Sequence, residues 1–224
     1  ASKPVFRTGL NYQVGEATYL RASWGQGFRF PAMAELFIRT NYSGLEIYPN
    51  AELKPESGWS AELGLKQGLK IGNWLGFFDA AAFLMRYNDM MEFSFGKFAA
   101  NQPDPNDPNA SLNFYGLGFK SINVGDTEVS GLELSISGQG KITSNLKATI
   151  LAGYTYMNSI SLEPDEVYEV LEEPVSLENP NTGEQELIYN LTYRNSSSEP
   201  SILKYRYRHI AKTDIELVYK KISR

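Results

Sequence analysis

The residues able to do chemistry are few, and they fall in stretches rich in turn formers. His209 is the single histidine, and cysteine is absent. A general base or imidazole-ligated metal would have to be assembled around that one position, and thiolate chemistry is excluded outright. His209 is expected in a short turn, Arg208 to Ala211, where few side chains can converge, so catalysis is not the expected activity. Glu163, Asp165, Glu166, Glu169, Glu172 and Glu173 offer hard oxygen ligands, as do Asp104, Asn106, Asp107 and Asn109. Neither run has calcium-loop spacing, and prolines interrupt both, so a solvated face and turn chemistry account for them. No metal site and no cofactor is expected.

Ligand contact is the better prospect. Arg39, Tyr42 and Tyr48 lie in one long stretch, Gly25 to Glu56, where a guanidinium and two phenols suit a polar ligand such as a chelate or a sugar. Arg29 and Glu35, in the same stretch, are expected to brace the loop against its support. That support must come from the flanking segments, which alternate in polarity. Leu20, Ala22 and Trp24 share one parity against Tyr19, Arg21 and Ser23; Trp59, Ala61, Leu63 and Leu65 oppose Ser60, Glu62, Gly64 and Lys66. Strand side chains point alternately to opposite faces, so each segment has an apolar face and a wet one.

The alternation recurs along the chain. Strands are expected over Val5–Gln13, Thr18–Trp24, Gly58–Leu69, Trp74–Glu92, Thr127–Ser137, Leu146–Met157, Leu203–Tyr207 and Thr213–Tyr219, about eight in all. In Trp74–Glu92, Asp79 argues for a wet face with Ala81, Phe83 and Met85, but Arg86 then falls on the apolar side, which leaves that parity open. Long loops are expected near residues 25–56, 93–120 and 158–200, the last with room for a hairpin of its own, since Glu186–Arg194 alternates. Short connections separate them in strict alternation. Transmembrane barrels have this asymmetry, with short turns at one end and long loops at the other, whereas soluble sandwiches do not. The wet faces carry small residues such as Ser23, Ser60, Gly64, Ser135 and Thr149, too small to fill a narrow barrel.

Composition agrees. Of 224 residues, 42% are hydrophobic and 13% aromatic, with 14 Tyr and 12 Phe, the residues that favour strands and membrane interfaces. No run approaches the roughly 18 apolar residues of a membrane helix, which says nothing against strands. A net charge of -5 without a basic stripe argues against a nucleic-acid partner.

The run from Trp24 to Glu56 also carries a resemblance. Phe28-Arg29, Pro31, Glu35-Leu36-Phe37, then Asn50, Leu53-Lys54-Pro55-Glu56 resembles the "S-x-G-F-R-x-P-x-x-x-E-L-(F/Y) … N-P-x-L-K-P-E" run of TonB-dependent outer-membrane receptors. Asn50-Ala51-Glu52 departs from it where the family more often has Asn-Pro. Phe83 to Glu92, Asn123-Val124-Gly125, Gly131 to Leu134 and Leu203 to Arg206 look like later strands of the same family. The resemblance implies an all-β, antiparallel up-and-down transmembrane β-barrel in the bacterial outer membrane. This chain would be a fragment of a large plugged barrel, without its plug or last strands. It further implies import of a scarce ligand (iron chelate, cobalamin or oligosaccharide), a TonB complex acting through the plug, and contact with outer-membrane lipid. In that family the shared run is expected to be structural: Phe28, Arg29, Pro31, Glu35, Leu36, Asn50, Leu53, Lys54, Pro55 and Glu56. A passive porin and a soluble β-rich binding module remain as alternatives.

An excised piece of wall exposes unpaired backbone at both edges. The 224-residue chain is therefore expected to need detergent, or further strands, to stay folded. Gel filtration with circular dichroism checks this, and a soluble, cooperatively folding monomer would defeat the membrane assignment.

Overall fold

All but one of the alternating segments expected as strands become strands, and the turn-rich stretches between them decide which end of the sheet is elaborated. The computed structural model describes residues 3–42, 45–99, 116–178, 183–197, 199 and 201–220. The first half runs β1 (Arg7–Gly15), β2 (Thr18–Arg29), α1 (Met33–Phe37), β3 (Thr40–Tyr42), β4 (Leu45–Tyr48), β5 (Glu56–Ile71) and β6 (Trp74–Asn88). There follow β7 (Met91–Lys97), β8 (Leu117–Asn123), β9 (Thr127–Lys141) and β10 (Leu146–Ser161), then β11 (Glu169–Glu178), β12 (Gln185–Leu191), α2 (Tyr193–Ser196) and β13 (His209–Tyr219).

The main sheet has seven strands in the order β1-β2-β5-β6-β9-β10-β13, antiparallel throughout. One apolar row runs straight across six of them through Leu10, Ala22, Leu63, Ala82, Leu132 and Tyr156. The next row holds Tyr12, Leu20, Leu65, Ala80, Leu134, Tyr154 and Ala211. Side chains on this face meet no second layer: Leu63 is 68% exposed, and Ile215 and Leu217, further along β13, are each 60% exposed. A continuous apolar face on a sheet whose five inner strands are paired on both sides suits hydrocarbon, where backbone groups must be satisfied internally. Among the described residues no helix is long and apolar enough to cross a membrane.

The opposite face is polar. Arg21 reaches across two neighbouring strands, its Nε 2.8 Å from Glu62 and its Nη1 2.7 Å from Asp79. Gly64 makes this possible, because a Cβ there would stand 2.7 Å from the guanidinium carbon. Asp79 therefore settles the parity of β6: Ala81, Phe83 and Met85 share its face, and Arg86 points to the apolar side. Arg86 is not isolated there, since its Nε donates to Glu128 at 2.9 Å near the loop-bearing end of β6 and β9. Trp24, Trp59 and Tyr156 stand toward that end of the apolar face, and Trp74 and Tyr219 toward the other, as aromatic girdles do.

Short links join β1 to β2, β5 to β6 and β9 to β10, and all three lie at one end of the sheet. Gly72, at φ +59°, supplies a left-handed residue to the two-residue link between β5 and β6. Residues 30–55, 89–126 and 162–208 leave from the other end. They build an outer layer from a four-stranded sheet, β3-β4-β8-β7, and the hairpin β11-β12. The buried apolar cluster of Met90, Ile122, Val124, Tyr193 and Leu203 lies in this layer, not in the wall.

Several expectations are corrected. Seven strands, not eight, form the wall. Leu203–Tyr207 is not a strand, and His209 opens β13 instead of sitting in a turn. The fourth strand stops at Asn88, and the stretch 93–120 expected as loop contains most of β7 and β8. The two strands obey the period-two rule, but Pro-rich 101–109 between them disguised it. That run, with Asp104, Asn106, Asp107 and Asn109, lies outside the described residues. The hairpin expected within 158–200 is present as β11-β12, although the alternating Glu186–Arg194 is strand only as far as Leu191 and then enters α2.

The assignment of faces makes a prediction. In a complete barrel carrying this wall, Leu63→Arg places a charge in mid-membrane at about 2–4 kcal/mol and is expected to cut assembled yield sharply. Glu62→Gln, on the polar face, keeps a partner for Arg21 and should assemble near normally. Surface yield of the two variants measures the difference, and equal yields would refute the assignment.

Candidate functional site

The outer layer is fastened to the wall by the residues that follow β2. Phe28 and Phe30 pack edge to face at 5.2 Å, and Pro31, with its fixed φ, leads into α1. Glu35 in the first turn of α1 accepts the Ala32 N–H at 2.7 Å. It also takes Arg29 Nη1 on both carboxylate oxygens, at 3.0 and 2.9 Å. Arg29 Nε then reaches Glu56 at 3.1 Å, and the other Glu56 oxygen accepts the Met91 N–H at 2.8 Å. One guanidinium thus ties the end of β2 to α1, to β5 and, through Glu56, to β7. Partial burial pushes the Glu35 carboxyl up, but the Ala32 N–H and Arg29 together outweigh it and hold the group below the usual carboxylate range. Pairs this exposed contribute about 0–1 kcal/mol each; their effect is positional.

The second half of the run interlocks two long excursions. Asn50 donates its side-chain N–H to the Ser121 carbonyl at 2.9 Å and accepts the Glu52 N–H at 3.1 Å, while its own N–H meets the Glu35 carbonyl at 3.3 Å. Lys54 and Asn123 exchange bonds, backbone N–H to side-chain oxygen at 2.9 Å and side-chain N–H to carbonyl at 3.1 Å. Asn123 also holds the Asp89 carbonyl at 2.7 Å. Leu53 is 7% exposed, Leu36 is half-buried, and Pro55 brings the chain into β5.

Of the ligand candidates, Arg39 and Tyr48 gather at Glu46. Arg39 pairs with the Glu46 carboxylate, which is itself buried, while its own side chain is 66% exposed. Tyr48 is 7% exposed, its ring 6.0 Å from Phe98. Burial foremost, and then the Glu46 charge, push its hydroxyl up to about 12. Tyr42 pairs with Leu45 in the β3-β4 ladder; its side chain lies outside the described residues. Beside them Phe119 stacks on Phe93 at 5.1 Å and 11° and meets Phe95 at 5.1 Å. Sequence reasoning missed this aromatic face, although Phe93-Ser94-Phe95 alternates.

It also missed a polar centre inside the layer. Tyr193, fully buried, donates to the buried Glu92 carboxylate from 101 residues away. Lys204 donates to Ser196 Oγ at 3.0 Å and Tyr168 Oη at 3.3 Å and lies over the rings of Tyr193 and Tyr168 at 5.2 and 5.5 Å. Thr192 caps α2 by accepting the Asn195 N–H at 3.3 Å, so the turn that presents Tyr193 and Ser196 is fixed locally. Lys120 joins β8 to β11 through Glu169 at 2.7 Å. No local pattern announces such a centre, because its members belong to different excursions. The carboxylates Glu163 and Glu166 stand at the rim beside Gly125. His209 is taken up by Tyr154 at 2.7 Å and by the Tyr156 ring at 5.3 Å.

A paired wall with one apolar face, short turns at one end and a packed loop layer at the other defines an outer-membrane β-barrel protein. Residues 2–212 match the family model "TonB dependent receptor-like, beta-barrel". The chain belongs to that family, whose members are transport proteins of the bacterial outer membrane. Hemoglobin and hemoglobin-haptoglobin-binding protein A of Haemophilus influenzae is 22% identical over 213 residues, covering 88% of this chain and 19% of that protein. Among solved structures, the copper transporter OprC aligns with 75% of this chain and 22% of its own, at 19% identity and a TM-score of 0.47. A double mutant of the Serratia marcescens hemophore receptor HasR, in complex with hemophore HasA and heme, aligns with 70% of this chain and 22% of its own, at 18% identity and a TM-score of 0.49. The chain spans about a fifth of the length of these relatives, and its sheet of seven strands is not closed.

The polar centre makes a pH prediction. Burial raises the Glu92 carboxyl above its usual range, and Tyr193, Lys204, Arg206 and Ser94 only partly oppose this. An acid whose folded pKa lies above its unfolded one keeps its proton longer when folded. Stability at this site is then greatest below the unfolded value and declines as pH climbs toward the raised one. Hydrogen exchange in the intact receptor should show residues 90–97 and 192–204 better protected at about pH 5 than at about pH 8. Glu92→Gln should flatten that difference by keeping its protection at the higher pH. A pH-independent wild type would contradict the assignment.

Proposed function

We propose that this chain supplies wall and outer-loop structure to a receptor that captures a scarce ligand outside the cell and imports it with energy from the inner membrane. The TonB complex would deliver that energy through a plug. The observation that carries the reading is the outer layer itself. Three excursions from the wall are joined by Arg29, Asn50, Asn123, Lys120 and Glu92 into one packed body. Loops ordered in advance lose less entropy when a ligand binds, which suits capture at low concentration better than passive flow. The ligand classes in view are an iron chelate, cobalamin and an oligosaccharide. The Haemophilus relative is named for binding hemoglobin, which favours an iron source among them.

Within the layer we assign ligand contact to Arg39 and Tyr42. Tyr48, buried against Phe98, supports them from beneath. The shared run, Phe28, Arg29, Pro31, Glu35, Leu36, Asn50, Leu53, Lys54, Pro55 and Glu56, holds the layer on the wall.

Uptake into whole cells bearing the intact receptor tests the reading, with a ferric chelate, hemin, cyanocobalamin and a linear oligosaccharide as probes. One of them is expected to accumulate, and an uncoupler or loss of TonB should abolish accumulation while leaving surface binding intact. Uptake that survives both treatments would make the protein a passive porin.

A further inference from the structure

At the outer end of β13 the charge balance reverses. The chain as a whole is at -5, yet Lys204, Arg206 and Arg208 fall within five residues and line a cavity of about 560 Å³ with Ser196, Ser197 and Glu199. Glu199 is the carboxylate among the lining residues, and it meets Arg208 only at 3.4 Å, between side chains that are both well exposed. Lys204 makes its close contacts with neutral oxygens and tyrosine rings. Arg206 has no carboxylate within ion-pair distance among the described residues, although Glu92, buried behind the hollow, acts electrostatically on both Lys204 and Arg206.

The backbone explains how the cations come together. An alternating run Lys-Tyr-Arg-Tyr-Arg laid out as a strand would put all its cations on one face and spread them along it. Here Tyr205 takes φ +58°, a left-handed conformation that a tyrosine rarely adopts. The chain folds back at that point. Tyr207 is turned to solvent at 77% exposure and Tyr205, 69% exposed, stands at the edge of the hollow that the three cationic residues line.

We propose that this hollow is an oxyanion site, taking a phosphate or carboxylate group between Arg206 and Arg208 with Lys204 at its floor. The paired N–H groups of a guanidinium match two oxygens of such a group, and the volume lies in the range of small-ligand sites. The serines cannot be the donors. Ser196 Oγ spends its proton on the Thr192 carbonyl at 2.5 Å, and Ser197 Oγ spends its own on the Ile202 carbonyl at 3.0 Å. The arginines therefore carry the recognition, and Glu199 is the group an anion displaces from Arg208. Two sources of that chemistry reach this place. One is a soluble anion arriving from outside. The other is a lipid phosphate, because Arg208 immediately precedes His209, which meets Tyr154 and Tyr156 at the loop-bearing end of the apolar face.

The intact receptor in neutral detergent provides the test, with wild type compared with Arg206→Ala, Arg206→Lys and Arg208→Ala. Calorimetric titration with tripolyphosphate and with citrate reads the soluble source. Retention of phosphatidic acid, measured by native mass spectrometry after reconstitution in phosphatidylcholine with and without it, reads the lipid source. Arg206→Ala is expected to weaken whichever probe binds by roughly tenfold or more, Arg206→Lys to recover part of the loss, and raised salt to weaken binding in wild type. Binding of tripolyphosphate or citrate that these variants diminish supports a soluble anion. Phosphatidic acid retained by wild type and lost from Arg206→Ala supports a lipid phosphate. Variants that fold normally by circular dichroism yet bind every probe as wild type does, or a wild type that binds none, would overturn the proposal.

Discussion

The structure depends on one constraint: a backbone N–H or C=O inside hydrocarbon has no water to turn to. Every strand of the wall answers it by pairing with its neighbours, and the register runs unbroken from Leu10 to Tyr156. Pairing alone does not say which face meets lipid. That follows from side-chain parity, since a slip of one residue would exchange Leu63 for Glu62 along the whole row. Arg21 reinforces the register by bonding to Glu62 on β5 and Asp79 on β6. A one-residue slip of either strand would carry a carboxylate to the apolar face and leave the guanidinium behind.

The same constraint explains why the core sits outside the wall. A sheet with lipid on one side and a polar lumen on the other has no interior of its own, and its two faces need only match their surroundings. The loop layer stands in water and must bury apolar surface in the ordinary way. It does so with Met90, Ile122, Val124, Tyr193 and Leu203, drawn from two excursions. The polar groups enclosed alongside, Glu92 and Tyr193, are bonded to each other through one carboxylate oxygen, while the other, Oε1, is buried without a hydrogen-bond partner. Two solvents have thus given one chain two kinds of stability, backbone pairing below and side-chain packing above.

The wall was legible in the sequence because period-two alternation is a local signal, readable strand by strand from Leu20-Ala22-Trp24 and Ala61-Leu63-Leu65. The short and long connections could be ordered for the same reason. The outer layer was not legible to that degree. β7 and β8 are separated by a proline-rich run, and pairing across such a gap has no sequence period. Leu203–Tyr207 failed in the opposite sense: its alternation is genuine, but Tyr205 in the left-handed region breaks the strand. The Glu92–Tyr193 contact links residues 101 apart, a separation that no spacing rule covers. Arg86 left the parity of β6 open until Glu128 appeared on the adjacent strand.

The polar groups of the family run are largely committed to one another. Asn50 has committed a side-chain N–H, its side-chain oxygen and its backbone N–H. Both Glu35 oxygens are engaged by Arg29, and both Glu56 oxygens have partners in Arg29 and the Met91 N–H. A group whose donors and acceptors are already paired gains little by turning to a ligand, because a protein bond must be broken first. Such residues suit a common chassis, whatever is carried. Recognition must then come from groups with exposed polar surface on that chassis, and those are also the groups whose identity can change without loosening the layer. The motif that identifies the family therefore carries the least information about the ligand. On the reading proposed above, recognition falls to the Arg39 guanidinium, which is paired with Glu46 yet 66% exposed, and to the cations at the outer end of β13.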